Sequence, residues 1–312
     1  MAASMRKFSS ENIRKDFHRN WLLYVMIIPA VLFYILFAYI PMVGNIMAFK
    51  EYIPGIGFRG FFAGEWVGLK YLIQFAEGIY FTRLIRNTLL ISLYNLIFGF
   101  PAPIILAILL SELPFNGYKR IVQTITYLPH FVSTVVICGL IVNFSLSTGL
   151  FSDIAELFGG QRVSFLQDPR YFRTIYVASG IWQSIGWSSI IYLSAITGID
   201  SALYEAAVID GANKFRQIIH VTLPGISSTI VILLILQIGQ MMNVGSEKIM
   251  LLYNPSIYET SDVISTYVYR KGLVEMNWSF SAAVDLFNKL INFLLLVSAN
   301  AISKRLSEVS LM

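Results

Sequence analysis

The stretch from 174 to 244 reads TIYVASGIWQSIGWSSIIYLSAITG (174–198), IDSALYEAAVIDGANKFRQIIHVTLP (199–224) and GISSTIVILLILQIGQMMNV (225–244). Two apolar runs, each near the ~20 residues a helix needs to cross a bilayer, bracket a polar segment that carries its own helix signals. Asp200 or Ser201 can cap a helix by accepting from an exposed amide. Glu205, near that helix's start, suits the positive end of its dipole. Gly211 allows the left-handed turn that ends a helix. A second short helix is expected over 213–221, and Pro224 fits the first turn of the following span. The pattern is therefore a span, a helix–turn–helix at one membrane surface, and another span.

Working outward, four more apolar runs lie at 21–43, 87–110, 123–144 and 281–302. Hydrophobic residues make up 56% of the 312 residues and charged residues 13%, against about 25% charged in a soluble domain. Backbone crossing a bilayer must satisfy its own hydrogen bonds. The expected fold is thus all-α, a polytopic membrane protein with six transmembrane helices. The 21–43 run is too long for a signal-peptide core, and no small-x-small cleavage site follows it. Pro101 and Pro103 fall inside the second run and Pro129 near the start of the third; neighbouring helices can satisfy the carbonyls such prolines free.

Six spans put both termini on one side. The segments on that side, 1–20, 111–122, 199–224 and the tail, are shorter and denser in Lys and Arg than those on the other, which places them in the cytoplasm. Arg6, Lys7, Arg14, Lys15 and Arg19 contribute most to this bias. The expected organisation is a cytoplasmic segment 1–20, a transmembrane domain 21–303 with its loop 199–224, and a cytoplasmic tail 304–312. On the outward side, 67–79 reads as a helix lying at the surface, and 261–274 as a short helix begun by Ser261 or Asp262. These outward loops are not markedly basic.

Several function classes drop out. The net charge of +5 comes from short clusters flanking apolar runs rather than from a basic polar face, which argues against nucleic acid. Cys138 is the single cysteine, so neither an internal disulfide nor a cysteine zinc site can form. His18, His130 and His220 show no metal-ligand spacing. No Gly-x-x-x-x-Gly-Lys-Ser/Thr, His-Glu-x-x-His or Gly-x-Ser-x-Gly sequence occurs, so the chain has no phosphate-binding loop of that type and no enzyme motif.

The helix–turn–helix can be read two ways from its residues alone. Leu203, Val208 and Phe215 offer apolar contact, and Ala206 and Ala207 would let another backbone approach closely. Either the pair packs on its own bundle, or it docks a partner. The pattern Glu205-Ala206-Ala207, Asp210-Gly211-Ala212, Phe215, Ile218, Leu223-Pro224 resembles the EAA motif of binding-protein-dependent ABC importer permeases, at the position that family gives it. Tyr127-Leu-Pro-His130, Gly180-Ile-Trp182-Gln183, Tyr258-Glu-Thr260 and the 292–300 stretch are similar to its maltose-type carbohydrate branch, and within that to lipoprotein-type polysaccharide and alginate-oligosaccharide permeases. The resemblance covers nearly the whole chain.

That resemblance implies a type I ABC importer permease fold in a bacterial cytoplasmic membrane. Glu205, Ala206, Ala207, Asp210, Gly211, Ala212 and Phe215 would form a coupling helix seated in a separate ATPase. It implies two such ATPase subunits, with ATP and Mg bound there and no cofactor on this chain. A second related permease, an extracytoplasmic binding protein and an oligosaccharide complete the expected set, with membrane lipid around it. A permease for a non-sugar solute and a secondary transporter without ATPases are the competing readings.

Polar groups inside spans usually face a cavity or another helix. Span four carries Trp182, Gln183, Trp187 and Tyr192; span five Gln237, Gln240 and Asn243; span six Asn288, Lys289 and Asn292. Aromatic rings for sugar C–H faces and amides for hydroxyls make these candidates for a substrate path. Hydrogen-bonded glue between helices is the alternative. Asp285 and Lys289 are spaced i,i+4 in the favourable acid-first order. They read either as a structural pair, or with Lys289 meeting an acidic sugar.

Overall fold

A computed structural model describes residues 10–53 and 55–306. Residues 1–9, with Arg6 and Lys7, and most of the expected 304–312 tail lie outside the described residues. Apart from one isolated bridge between Lys50 and Trp66, every element described is helical. Among the described residues, three helices are long and apolar enough to cross a membrane: Phe17–Phe49, Phe81–Ser111 and Trp278–Arg305. Two bent pairs, Asn116–Phe131 with Thr134–Phe144 and Lys214–Gly225 with Ser227–Gly239, bring the number to five. The fourth expected span is the 29-residue helix Pro169–Thr197, about 43 Å long at 1.5 Å per residue. Its length suffices for a crossing, but the polar residues between Trp182 and Tyr192 dilute its hydropathy.

Two spans depart from expectation. The third is not one helix over 123–144: its halves meet at 97°. Pro129 leads a tight turn, Val132 and Ser133 are extended, and Ser133 caps the next helix by accepting from Val136 N at 3.4 Å. The break is thus written in a proline and a new cap rather than in hydrophobicity. The fifth span does not begin at Pro224. That residue completes the helix before a 63° bend, and the membrane run starts afresh at Ser227. It ends at Gly239, and the helix Ser246–Leu252 then packs back against Thr134–Phe144 through Ile249, Ile137 and Cys138. In the second span, a wide turn over Asn95–Gly99, with Phe100 N donating to Asn95 O at 3.0 Å, absorbs the donors missing at Pro101 and Pro103.

The core is divided into three apolar clusters stacked along the bundle. Ile104, Ala107, Leu110, Tyr192, Leu193, Ile196 and Ile226 close the end nearest 199–224. Ile91, Ile137, Phe172 and Ile249 fill the middle. Tyr71, Phe75, Leu84, Phe280 and Val284 close the opposite end. The helix Lys70–Ala76, expected to lie on a surface, buries Tyr71 and Phe75 against Phe280.

Between lipid-embedded helices packing replaces the hydrophobic effect as the cohesive force. Gly186 shows what this requires: a Cβ there would collide with the Thr126 carbonyl and the Tyr127 ring of the crossing helix. Gly186→Leu should therefore lower the thermal denaturation midpoint by several degrees, the overpacking cost being about 1–3 kcal/mol. Gly117→Leu, which has nothing within 4 Å of its added Cβ, should leave the midpoint within a degree.

At the end opposite 199–224 the expected helix over 261–274 starts later than Ser261 or Asp262. Ser261 ends one short helix, Asp262 is extended, and the next helix runs Ile264–Tyr269. Asp262 is instead a buried counter-ion: its Oδ2 accepts from Arg83 Nη2 and Arg270 Nη2, each at 2.9 Å, and its Oδ1 from the Thr266 hydroxyl at 2.9 Å. Asn87 Nδ2 donates to the carbonyls of Glu259 and Asp262, both at 2.9 Å. One carboxylate thus ties span two to the loop before span six.

Candidate functional site

The 199–224 segment folds as its side chains dictate. Asp200 Oδ1 accepts from Ala202 N at 2.9 Å and opens the helix Ser201–Ile209. Gly211 stops it at φ 75°, and the Gly211 and Ala212 amides return to the Val208 and Ala207 carbonyls at 3.0 and 2.9 Å. That pair of bonds is a complete left-handed helix stop, and small Ala207 and Ala212 let the turn close. Asn213 caps the second helix by accepting from Arg216 N at 3.0 Å. The hairpin is then locked: Tyr204 and Thr222 hydroxyls meet at 3.0 Å, and buried Gln217 donates to the Ala212 carbonyl at 3.0 Å.

Its root is buried and its tip is bare. Leu223 and Ile226 join the apolar cluster of spans two and four, and Lys214 Nζ lies 2.9 Å from Glu112 at the end of span two. Leu203, Val208, Ile209 and Phe215 remain exposed, Ile209 at 86% and Phe215 at 69%. Glu205, Ala206 and Asp210 are exposed beside them, whereas Ala207 and Ala212 are half-buried in the turn. The hairpin thus packs on its own bundle through its root and leaves an apolar tip uncovered by the chain.

The polar residues of the spans gather in a chain of three spaces. A cavity of about 590 Å³ lies among spans two, four and five and is lined by Asn95, Ser184, Trp187, Tyr192, Gln237 and Gln240. Another, of about 580 Å³, lies toward the far end, with Asn243, Ser265, Tyr269, Trp278, Asp285 and Asn288. A space of about 120 Å³ between them shares Gln237 and Gln240 with the first and Asn243 with the second. Trp187 is flanked by a His130 ring stacked on it at 4.7 Å and 3° and by the Phe131 edge at 5.6 Å.

Other sequence candidates sit elsewhere. Asn292 is buried, accepts from Met242 N at 2.8 Å and donates to Asn243 Oδ1 at 3.0 Å. Asn288 donates to that same Asn243 oxygen at 3.3 Å. These amides hold the break after span five, so for Asn292 the inter-helix glue is what the geometry displays. Trp182 is half exposed, and neither it nor Gln183 lines the three spaces. Lys289 lines none of the three and pairs at 2.6 Å with Asp285, which lines the second. Two residues were missed. Asn95 lines both the large and the small space; its only sequence signal was an amide in an apolar run. His130 reaches Trp187 because the 97° bend carries it there.

A protein-family model for binding-protein-dependent transport system inner membrane components matches residues 99–308, which contain the hairpin and most of the cavity walls. The chain belongs to that family. As such it is a multi-pass inner membrane permease component of an ABC transporter, and ATP hydrolysis belongs to a separate subunit. The permease is 42% identical to Protein LplB of Bacillus subtilis (strain 168) over 294 residues, 94% of this chain and 92% of that one. It is 43% identical over 287 residues to the polygalacturonan/rhamnogalacturonan transport system permease protein YteP of the same organism, covering 92% and 88%. Its fold matches a chain of a bacterial alginate ABC transporter, crystallised with an alginate pentasaccharide-bound periplasmic protein, at TM-score 0.87 and 42% identity over 95% of this chain and 99% of that one. The all-helical ABC importer permease fold therefore holds, with its spans bent where the sequence alone showed them straight.

Proposed function

We propose that this permease imports an oligosaccharide handed over by an extracytoplasmic binding protein, driven by two ATPase subunits seated on the 199–224 hairpin. The observation that carries this reading is the hairpin itself: a bonded lever with a bare apolar tip and a root fused to the span two, four and five core. Glu205, Ala206, Ala207, Asp210, Gly211, Ala212 and Phe215 form the ATPase contact. A stroke at the tip moves the inner ends of three spans together and alternately opens the path to the two sides.

The solute path uses Trp187, Tyr192, Gln237, Gln240, Asn243 and Asn288, with Asn95 added. An aromatic ring beside amides suits a sugar, and the polygalacturonan/rhamnogalacturonan and alginate systems of its relatives favour the same cargo. Both termini face the cytoplasm, with residues 1–20 and 304–312 flanking a 21–303 transmembrane domain in a bacterial inner membrane. A second, different permease completes the path, as the resemblance to the carbohydrate branch implies.

Reconstituted with its ATPases, second permease and loaded binding protein, the transporter should accumulate oligosaccharide only when ATP is supplied. Uptake that persists without ATPase subunits would identify a secondary transporter instead. ATP-dependent uptake of other solutes with no sugar uptake would refute the cargo.

A further inference from the structure

Arginines from segments far apart in sequence converge at the end of the bundle opposite 199–224. Arg83 and Arg270 are accounted for by Asp262. Arg173 is not. Its Nη2 donates to the neutral Asn87 Oδ1 at 2.8 Å, it has no carboxylate partner among the described residues, and its buried Nε, like Arg83 Nε and Arg270 Nη1, has no hydrogen-bond partner. Arg86 precedes Asn87, the acceptor for Arg173, on the helix Phe81–Tyr94. It is exposed and makes neither a hydrogen bond nor an ion pair among the described residues. Glu259, whose carbonyl accepts from Asn87 Nδ2, forms no ion pair with Arg173 among the described residues. Two cations, one bonded to Asn87 and the other next to it in the chain, thus have no ion-pair partner among the described residues, an arrangement that costs free energy until an anion arrives.

Their position says which anion. On the helix Pro169–Thr197, residues 173, 176, 180, 184 and 187 follow at helical spacing along one face. Tyr176, Ser184 and Trp187 of that face line the cavities. On span two, Asn87, the acceptor for Arg173, stands one turn above Ile91 and two above Asn95, which line the same spaces. Arg173 thus heads the polar stripe of span four, and Arg86, next to Asn87, belongs to the same end of span two. The outward loops looked only weakly basic in sequence because these side chains belong to different helix ends.

Building on the oligosaccharide-import reading, we propose that Arg86 and Arg173 form a carboxylate-reading threshold at the head of the solute path, selecting oligosaccharides of uronic acids over neutral ones. A guanidinium pairs a carboxylate through two parallel hydrogen bonds, so each acidic ring can be handed inward to the uncharged amides of Asn95, Gln237 and Gln240. Lys289, read from sequence either as a structural partner of Asp285 or as a contact for an acidic sugar, is paired with Asp285.

The test uses the complete transporter in proteoliposomes, with a uronate tetrasaccharide and the same tetrasaccharide after carboxyl reduction to neutral sugar. Arg86→Gln, which removes no contact within the chain, should cut uronate uptake at subsaturating concentration about tenfold and change neutral uptake less than twofold. Arg173→Lys should retain more uronate uptake than Arg173→Gln. ATPase stimulation by the sugar-loaded binding protein should stay at the wild-type level in Arg86→Gln. Equal loss for both sugars, or a parallel loss of that stimulation, would overturn the proposal and assign the arginines to binding-protein docking. Unchanged uronate uptake would overturn it outright. If the wild type takes up the neutral sugar alone, the charge assignment fails and oligosaccharide import stands; if it takes up neither, both fall.

Discussion

Glu205→Lys is expected to reduce ATP-driven transport roughly 10- to 100-fold, while the permease still inserts and binds its companion permease. Glu205 is exposed and makes no hydrogen bond or ion pair among the described residues, so nothing within the chain depends on its charge. A carboxylate on an apolar docking tip, beside Leu203 and Val208, needs a basic partner on the docked protein. Reversing it leaves that partner facing a like charge in a desolvated interface, at a cost of about 2–5 kcal/mol. The ATPases should continue to hydrolyse ATP without moving solute. Uptake and phosphate release measured on the same vesicles separate the two. Wild-type uptake by the variant would remove Glu205 from the coupling contact.

Asp262→Asn is expected to be the most destabilising single change at the other end of the molecule. The carboxylate is fully buried and accepts from two guanidiniums on one oxygen. Arg83 and Arg270 also lean on the Tyr80 and Tyr258 rings at 4.7 and 5.3 Å, so neither can swing out to water freely. Removing the negative charge leaves two half-buried cations adjacent, a loss of about 3–5 kcal/mol by comparison with other broken buried pairs. Thermal denaturation of the purified permease should show a midpoint several degrees lower. Arg83→Gln should cost less, since Arg270 still neutralises Asp262. Equal midpoints for Asp262→Asn and wild type would show that the triad carries no stability.

What was legible in the sequence was what is local. The places of the spans follow from apolar runs, though not their lengths, and the hairpin follows from Asp200, Gly211 and Asn213, whose cap and turn bonds involve neighbours two to five residues away. The bends were harder to see. At the 97° turn only Ser133 and Thr134 separate Phe131-Val132 from Val135-Val136, so the averaged hydropathy runs on where the helix stops. Pro224 was placed in the right element class but on the wrong side of the 63° bend, because a proline in a first turn looks the same in either helix.

The candidate path was half legible for a related reason. Four-residue spacing puts Gln183 and Trp187 on one helix face, yet only Trp187 lines a cavity; which part of a face is covered depends on the helix crossing it, here 116–131 at Gly186. Asn292 looked identical to Asn288 in sequence and is spent on the Met242 amide. The arginines at the head of the path were invisible for the simplest reason, since Arg86 and Arg173 lie on different spans.

The hairpin's role as ATPase contact is the central claim, and site-directed crosslinking tests it most directly. The native Cys138 is buried and can be replaced by Ala, leaving a single reporter thiol. Ala206→Cys, on the exposed tip, should crosslink efficiently to an ATPase subunit in the assembled transporter, and the yield should change between nucleotide-free and ATP-bound states. A cysteine at Leu157, exposed on the outward segment, should not reach the ATPase. An Ala206→Cys thiol that stays unlinked to the ATPase in an assembled, transport-active complex would contradict the account.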